Sequence, residues 1–234
     1  MIVVASTLAP FAMEREECWS SWLRHAEAIA ATAGVAFFAA IETDARGVEP
    51  FAPLLERLEG LDGEWWRFSL DDGEQERTSH NRLRRIVTGE NFASMYAQER
   101  AASHLLFLGA DVEPDPEVVP KLLEVDWPVA AGNVATYARR GPVVRAHPTT
   151  HRQYAFPVQR VLPTASMVLL SQVAFARLPW RYDIGRRMTD DPCMEADATA
   201  LGVAPLCRMD CWGRHHPETI GPLETRGFDL RILW

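Results

Sequence analysis

The sequence predicts an α/β fold, with a single mixed, mostly parallel sheet flanked by helices. Short apolar runs that suit buried strands alternate along the chain with longer segments of helical pattern. Parallel neighbours need crossover connections, which helices supply, so this alternation favours a parallel sheet covered on its faces. The 234 residues are enough for one domain with a sizeable core.

The first half of the chain alternates strands and helices. We expect strands at 1–6, 35–41, 65–68 and 105–108, and helices at 14–31, 50–58 and 81–102. The helix before the fourth strand is weakened at Gly89, since glycine disfavours a helix interior. Polar residues that directly follow these strands are the ones to inspect, because ligands of such sheets bind beyond the carboxyl ends of the strands.

The second half of the chain is less regular. Prolines and acids predict a helix at 117–124, followed by a strand at 127–132. Residues 133–163 are rich in Pro, Gly, His and Arg and predict an irregular excursion. Order is expected to return with a strand at 165–170, a helix from about Asp190 to 201 and a strand at 203–209.

Composition narrows the class of protein. Hydrophobic residues make up 47% and charged residues 24%, as in ordinary soluble domains. No run approaches the ~18 apolar residues of a membrane helix, so we expect a cytoplasmic protein with no membrane span. The four cysteines are too few and too scattered for a disulfide framework.

The charge is unevenly distributed. A net charge of −8 argues against a protein that binds nucleic acid over its whole surface. Residues 127–182, however, contain seven arginines and no Asp or Glu, which predicts a surface that faces an anion. The alternative is that these arginines reflect a general preference for arginine over lysine in this chain, because Lys121 is its only lysine.

The acidic end of the fourth strand is the most informative segment. Asp111 follows the apolar run 104–108, and Glu113 and Asp115 come shortly after it. A carboxylate at the end of a buried strand can hold Mg²⁺ or Mn²⁺ and bridge it to phosphate oxygens. The alternative is an acid that caps the next helix, a role that Asp115 fills better.

This segment resembles the aspartate-any-aspartate region of GT-A-fold glycosyltransferases, in which an apolar strand ends in acids and a proline-punctuated helix follows. Asp111 matches the last aspartate of the motif, which in the family usually contacts the metal. Gly109 stands where the first aspartate is expected. If the motif is instead matched to Asp111, Val112 and Glu113, then Glu113 becomes a second candidate metal ligand.

The resemblance continues downstream. The strand at 165–170 and the pair Asp190 and Asp191 are similar to the family's acceptor-side strand and the two acids that open its next helix. In inverting members the second acid is the general base, which implies that Asp191 deprotonates the acceptor hydroxyl. The alternative is that both acids only stabilise the helix start.

A histidine pair completes the resemblance. His215 and His216 follow the last strand, where family members often place a histidine on the metal or the diphosphate. A competing hypothesis is a zinc site, because Cys207, Cys211 and His215 recur every fourth residue and Cys193 could be a fourth ligand.

The resemblance also implies contacts to the donor nucleotide. The ends of the first two strands lie where the family contacts base and ribose, which selects Thr7, Glu42 and Asp44. Of the arginines at 82, 84 and 85, one is expected to reach the diphosphate, and Arg85 is our candidate. Each of these side chains could equally be a turn former or lie on a solvated helix face.

These motifs together predict a single glycosyltransferase domain over 1–234 with a GT-A-like, Rossmann-like nucleotide-binding half. Residues 1–132 form the donor-nucleotide half, 133–217 the acceptor side and 218–234 a tail. The expected reaction moves a sugar from a nucleotide-diphospho-sugar to an acceptor hydroxyl, with inversion and with Mn²⁺ or Mg²⁺. Modified DNA, a lipid phosphate or an acidic glycan are candidate acceptors, so nucleic acid is not excluded. A nucleotidyltransferase and a non-catalytic binding module are the alternatives.

Overall fold

The computed structural model confirms the predicted fold class, a mixed and mostly parallel sheet with helices on both faces. The structure describes residues 1–8, 16–30, 35–43, 47–61, 63–70, 79–134, 136–138, 141–143, 149–150, 154–162, 164–183, 185–186 and 188–215. Asp44, His216 and the expected tail at 218–234 lie outside the described residues. Of His215 and of the short strands at 136–150, only the backbone is described.

The strands and helices are numbered in chain order. The strands are β1 (Ile2–Leu8), β2 (Val35–Glu42), β3 (Gly63–Phe68), β4 (His104–Leu108), β5 (Val112–Pro114), β6 (Val129–Val134), β7 (Thr136–Ala138), β8 (Gly141–Val143), β9 (Thr149–Thr150), β10 (Pro157–Gln159), β11 (Met167–Ser171) and β12 (Leu206–His215). The helices are α1 (Glu16–Ala30), α2 (Ala52–Gly60), α3 (Ser79–Glu99), α4 (Val118–Leu123), α5 (Gln172–Arg177) and α6 (Asp190–Ala200), with a short 3₁₀ turn at Glu49–Phe51.

The main sheet has the strand order β3-β2-β1-β4-β11-β6-β12-β10-β9. β1 to β4 run parallel, and β6 pairs with β12 in parallel. β11 lies between β4 and β6 and is antiparallel to both, so its first residues lie at the carboxyl edge of its neighbours. Thr7, Glu42, Gly109 and the start of β11 therefore all meet at one edge of the sheet.

Helices cover each face of the sheet because its central strands are apolar on both sides. On one face α1, α2 and α4 pack over Val4, Leu8 and their neighbours. On the other face α3, α5 and α6 pack over Val3, Ala5 and their neighbours. In α3, Tyr96 stacks on Phe38 of β2 with ring centroids 4.4 Å apart, which anchors this helix to the sheet.

Two expectations about the second half need correction. The excursion at 133–163 contains β7 to β10, of which β7 and β8 form a hairpin and β9 and β10 extend the main sheet. The last strand does not end near residue 209 but continues to His215. Its pairing with β6 shifts register between Arg208 and Trp212, and this irregularity interrupts the apolar pattern that predicted the earlier end.

Within the described residues, no helix has the length and apolar character needed to cross a membrane.

Candidate active site

Asp111 lies just beyond β4, at the carboxyl edge of the sheet. Its side chain is partly exposed, and within the described residues it has neither an ion pair nor a hydrogen bond. Asp115 has the structural role instead, because Oδ1 accepts a hydrogen bond from the Glu117 amide at 2.8 Å and Oδ2 lies 2.7 Å from Lys121 Nζ. Asp115 thus makes the side-chain contacts at the start of the helix that follows β5. Asp111 is not needed for them, and its carboxylate is open to a ligand.

Gly109 occupies a position with little room for a side chain. A Cβ built on it would lie 3.2 Å from Ser166 Cβ and 3.3 Å from Asp111 Oδ1. The Gly109 amide also donates to the Ser166 carbonyl at 2.8 Å, which holds β4 close to the turn before β11. Close packing between these two segments therefore accounts for the glycine where the family motif has its first aspartate.

The turn at 164–166 connects Asp111 to the predicted base. Thr164 is buried, and its hydroxyl accepts the Ser166 amide at 3.2 Å and lies 3.1 Å from Ser166 Oγ. Between them, the Ala165 amide donates to Asp191 Oδ1 at 2.6 Å. One turn thus contacts both the end of β4 and the first turn of α6.

Asp190 and Asp191 form the first turn of α6, whose N-cap is Thr189. Thr189 makes no side-chain capping bond, and Asp191 Oδ1 accepts the Ala165 amide from the turn before β11. The carboxylate of Asp191 is therefore held at the sheet edge by a contact between elements. Its negative charge is also favoured at the positive end of the helix.

Glu42 and Arg85 were predicted as separate donor contacts, and the structure pairs them. Arg85 Nε lies 2.6 Å from Glu42 Oε1, and both residues are buried, with exposed fractions of 9% and 6%. The pair joins α3 to the end of β2. A diphosphate bound here would contact Arg85, whose charge is already paired with the Glu42 carboxylate.

Thr7 faces α3 at the end of β1. A Cβ built on Gly89 would lie 2.3 Å from Thr7 Oγ1, so the glycine lets the helix lie directly on this side chain. The hydroxyl oxygens of Ser6 and Thr7 are buried without a hydrogen-bond partner among the described residues. Buried polar atoms of this kind need an explanation, and a bound molecule at this strand end would supply one.

Glu113 and His215 are the other predicted metal ligands that fall within the described residues. Glu113 in β5 lies 4.0 Å from His25 of α1, measured between Oε1 and Nε2. β12 pairs antiparallel with β5 and sets His215 opposite Val112, so its backbone runs beside the residue after Asp111. Strand pairing thus brings the backbone at His215 beside the acidic segment that contains Asp111. The two segments are far apart in the chain, so the sequence alone does not indicate this contact.

The zinc hypothesis finds no support among the described side chains. Cys193, Cys207 and Cys211 are buried and free, and no group of three potential ligands within the described part of the chain could hold a metal ion. Burial raises the pKa of both thiols in β12, that of Cys211 to about 12. These cysteines behave as apolar core residues.

Glu90 is a buried carboxyl near the end of β1 that sequence reasoning missed. It lies on α3 next to Gly89, is 1% exposed, and its Oε2 has no hydrogen-bond partner among the described residues. Burial raises the pKa of this carboxyl well above its usual range, and the charges of Asp190 and Asp191 raise it further. The interior glycine beside it was the one available signal, since such a glycine often marks close packing.

No sequence profile of a known protein family matches this chain, and no curated protein sequence matches it either. Solved structures do. A nucleoside-diphosphate-sugar pyrophosphorylase from Vibrio cholerae RC9 is 8% identical with a TM-score of 0.53, over 89% of this chain and 91% of that chain. At this identity the likeness concerns the fold alone.

Two further structures are more distant. Protein A197 from STIV is 15% identical with a TM-score of 0.41, over 77% of this chain and 84% of that chain. The galactosyltransferase LgtC, solved with donor and acceptor sugar analogs, is 14% identical with a TM-score of 0.33. That match covers 57% of this chain, which spans 46% of the galactosyltransferase.

Proposed function

We propose that this protein is an inverting glycosyltransferase that moves a sugar from a nucleotide-diphospho-sugar to an acceptor hydroxyl. The observation that carries the proposal is the turn at 164–166, which contacts Gly109 at the end of β4 and also holds Asp191. A donor-side carboxylate, Asp111, and an acceptor-side carboxylate therefore lie at the same sheet edge. The fold shared with a nucleoside-diphosphate-sugar pyrophosphorylase supports a nucleotide-sugar donor.

Asp191 is the proposed general base. The acceptor hydroxyl gives its proton to this carboxylate while its own oxygen attacks the anomeric carbon. The bond between that carbon and the diphosphate breaks, and the nucleoside diphosphate leaves with the electron pair. The bond from the Ala165 amide to Oδ1 orients the carboxylate for this transfer.

A divalent metal fits Asp111 as one ligand of a shared site. Its carboxylate is partly exposed and uncommitted among the described residues, and oxygen ligands suit Mg²⁺ and Mn²⁺. The described side chains offer no set of three ligands, so diphosphate oxygens, with His215, His216 or Glu113, would complete the coordination. When bound, such a metal neutralises the charge that develops on the leaving diphosphate.

The donor nucleotide is proposed to bind across the ends of β1 and β2. The parallel pairing of β1 and β2, which sets Thr7 opposite Ala40, supports this proposal because it brings the two strand ends side by side at the sheet edge. Glu42 and Arg85 then act as a pair at the floor of this site, and Asp44 follows on the same strand end.

The base assignment is tested with Asp191→Asn. This variant should lose at least ~100-fold of transfer rate, because general-base catalysis contributes about that much or more, while donor binding stays nearly unchanged. Single-turnover transfer and calorimetric donor titration measure the two properties. Asp190→Asn is the matched control and should retain more activity. Transfer by Asp191→Asn at the wild-type rate would contradict the assignment.

The metal assignment is tested with Asp111→Ala. Calorimetric titration of the donor with and without Mn²⁺ should show a metal-dependent gain in affinity for the wild type and a smaller gain for the variant. Glu117→Ala is the control, since Glu117 is an exposed acid that lies 3.8 Å from Lys121 Nζ and is not among the proposed ligands. Equal affinities with and without Mn²⁺ in the wild type would remove the metal from the proposal.

A nucleotidyltransferase is the second candidate, favoured by the pyrophosphorylase of shared fold. Such enzymes use a glycine-rich basic loop after the first strand, whereas residues 5–11 here contain no Gly, Lys or Arg. Incubation with nucleoside triphosphates and sugar 1-phosphates, and separately with nucleotide-sugars, distinguishes the two reactions. Release of pyrophosphate would favour the nucleotidyltransferase, and donor hydrolysis to nucleoside diphosphate the glycosyltransferase.

The acceptor is proposed to be anionic. The acid-free stretch at 127–182 supplies its arginines, of which Arg160 and Arg177 are exposed and Arg181 is paired with Asp197 at 2.7 Å. Modified DNA, a lipid phosphate and an acidic glycan all fit this charge. A gel shift that weakens steeply with salt would select DNA, and its absence would remove nucleic acid from the set.

A further inference from the structure

β12 changes one of its two neighbours partway along its length. Its first residues pair with β10, with Arg208 opposite Val158, whereas its last residues pair with β5, with His215 opposite Val112. β6 is its other neighbour both before and after the change. The change of neighbour brings the end of β12 to the segment that contains Asp111, so the residues that produce it affect the candidate site.

The change takes place at a bulge of β12. Arg208 lies opposite Gly132 of β6, and Trp212 lies opposite the next residue of that strand. Residues 209–211 therefore have no counterpart in β6 and form a bulge, which redirects the strand. A Cβ built on Gly132 would lie 3.0 Å from the carbonyl oxygen of Cys211, so the glycine makes room for this bulge.

Lys121 of α4 joins the bulge to the end of β5. Its ammonium group donates to Asp115 Oδ2 at 2.7 Å and to the main-chain carbonyl of Asp210, in the middle of the bulge, at 3.2 Å. The Asp115 amide donates in turn to the Trp212 carbonyl at 2.8 Å, next to the pairing of β5 with β12. One cation thus holds the two strands together where β12 reaches β5.

Arg208 supports the same bulge from within β12. It is 6% exposed, and its Nε donates to Asp210 Oδ1 at 2.8 Å. Its Nη1 donates to the Lys121 carbonyl at 2.5 Å and to Glu124 Oε2 at 2.6 Å. The guanidinium also lies 3.8 Å from the ring centroid of Phe156. These contacts hold the bulge on α4, whereas the Lys121 ammonium ties it to β5.

We propose that Lys121 is a positioning residue of the candidate active site, which fixes the segment that contains Asp111 against the end of β12. β5 has only three residues, and so short a pairing is weak without a further anchor. Lys121 anchors one end of β5, and Asp111 directly precedes the other end. The part that concerns metal and donor binding at Asp111 rests on the proposed function, whereas the hold of Lys121 on the two strands does not.

Amide hydrogen exchange tests that hold on the protein without ligands. In Lys121→Met the Asp115 amide should exchange at least ~10-fold faster than in the wild type, because β5 opens more easily without the charge-assisted hydrogen bonds. The Thr43 amide, which donates to the Phe68 carbonyl at 2.8 Å at the far end of the sheet, should exchange at the wild-type rate. Unchanged exchange at Asp115, or equal acceleration at both amides, would overturn the proposal.

Calorimetric titration tests the consequence for the site, with UDP-glucose, GDP-glucose and dTDP-glucose as probes. In Lys121→Met the gain in affinity that Mn²⁺ produces should fall by roughly 10-fold or more, as for groups that orient metal ligands, while the affinity without Mn²⁺ stays near that of the wild type. Lys121→Arg keeps a cation with several donors and should recover most of the gain. A full gain in Lys121→Met would overturn the role in the site.

Arg100→Met is the control for both measurements. It removes an ion pair of 3.2 Å with Glu64 of β3, the strand at the far end of the sheet from β12. The loss of a cation as such is thereby separated from the loss of this particular contact. Arg100→Met should leave both the exchange of the Asp115 amide and the gain from Mn²⁺ unchanged.

A double variant keeps the proposal testable if Lys121→Met does not fold. The single change leaves the Asp115 carboxylate, which is 2% exposed, without its cation, and an unpaired buried charge is costly. Lys121→Met combined with Asp115→Asn removes both charges and keeps an oxygen that accepts the Glu117 amide. It should give the same two results, and wild-type behaviour in both measurements would overturn the proposal.

The two measurements separate this proposal from the proposed function. A wild type whose affinity for all the probes ignores Mn²⁺ would overturn the metal assignment, and with it the role of Lys121 in the site. Exchange at the Asp115 amide depends on no ligand, so it decides independently whether Lys121 holds β5 on β12.

Discussion

At the residue scale, the protonation state of Glu90 is decided by its surroundings rather than by its own chemistry. The same side chain on the exposed face of α3 would be an ordinary surface acid, as Glu99 is. Burial and two neighbouring carboxylates raise its pKa in the folded protein. Unfolding removes both effects, so the stability of the protein depends on pH through this group.

The sign of that dependence follows from proton binding. Between the unfolded and folded pKa values, the folded protein binds a proton at Glu90 that the unfolded chain has released. The contribution to stability is fully present below the unfolded value of about 4.3 and is lost as the pH rises through the folded value. Glutamine does not titrate and has no such loss.

We therefore predict that Glu90→Gln becomes more stable relative to the wild type as the pH rises. Denaturant unfolding at pH 4.5 and at pH 8 measures the difference, which should shift in favour of the variant by at least roughly 1 kcal/mol, or about 3 °C in Tm. If the amide of the variant changes stability by an amount that does not depend on pH, that amount cancels when the differences at the two pH values are compared. Glu99→Gln, an exposed change on the same helix, is the control, and an equal pH dependence of the two variants would contradict the prediction.

At the element scale, α3 joins the two halves of the candidate site. Arg85 pairs with Glu42 at the end of β2, Gly89 lies on Thr7 of β1, and Glu90 is buried at the next position. Arg85 and Gly89 are four residues apart and share one face of the helix, with Glu90 at the next position around it. A small displacement of this helix would therefore disturb the donor and acceptor sides together.

Gly89→Ala tests how closely α3 lies on β1. Alanine favours a helix by about 1 kcal/mol over glycine, but its Cβ would lie 2.3 Å from Thr7 Oγ1 and 2.9 Å from Thr7 Cβ. Thr7 is branched at Cβ and cannot rotate away from both contacts. We expect a net loss of stability of about 1–3 kcal/mol in denaturant unfolding.

Two controls isolate this contact. Gly60→Ala, at the end of α2, places its Cβ in open space and should be neutral or slightly stabilising. Thr7→Ala combined with Gly89→Ala should recover part of the lost stability, because the two shortest contacts, to Oγ1 and Cγ2, are removed while that to Cβ at 2.9 Å remains. Equal stability of Gly89→Ala and the wild type would show that the helix moves away without cost.

At the scale of the whole molecule, the sheet brings distant segments to one edge. β11 runs antiparallel between β4 and β6, so the turn before it meets the carboxyl ends of the parallel strands. β12 closes the same edge and pairs with β5 beside Asp111. The candidate site thus depends on the complete sheet, and ligand binding should stabilise the fold as a unit.

We predict that a nucleotide-sugar donor raises the thermal stability of the protein in the presence of Mn²⁺. A ligand at 100 times its Kd stabilises by about 2.7 kcal/mol, which corresponds to a rise in Tm of roughly 5–10 °C for a chain of this size. Differential scanning fluorimetry over a panel of nucleotide-sugars measures the rise and identifies the donor. The free sugars are the controls, and a flat response across the whole panel would contradict a donor site.

Much of the fold could be predicted from the sequence because its signals are local. The apolar runs of β1, β2 and β4 were predicted from the spacing of their hydrophobic residues. Helix α6 was predicted from the residue types at its two ends. The same local reasoning located Asp111, Asp190 and Asp191 at the ends of elements, where site residues of an α/β sheet are found. The fold class needed nothing more.

The rest was decided by tertiary packing, which sequence spacing does not encode. The direction of β11, the extension of β12 to His215 and the ion pair of Arg85 with Glu42 are contacts between segments far apart in the chain. Glu90 has no motif, and only its burial distinguishes it from the exposed Glu99 of the same helix. The sequence by itself determined where elements begin or end in acids, and the tertiary structure decided which residues they contact and which carboxyl is buried, because burial and contacts between distant segments exist only after the chain has folded.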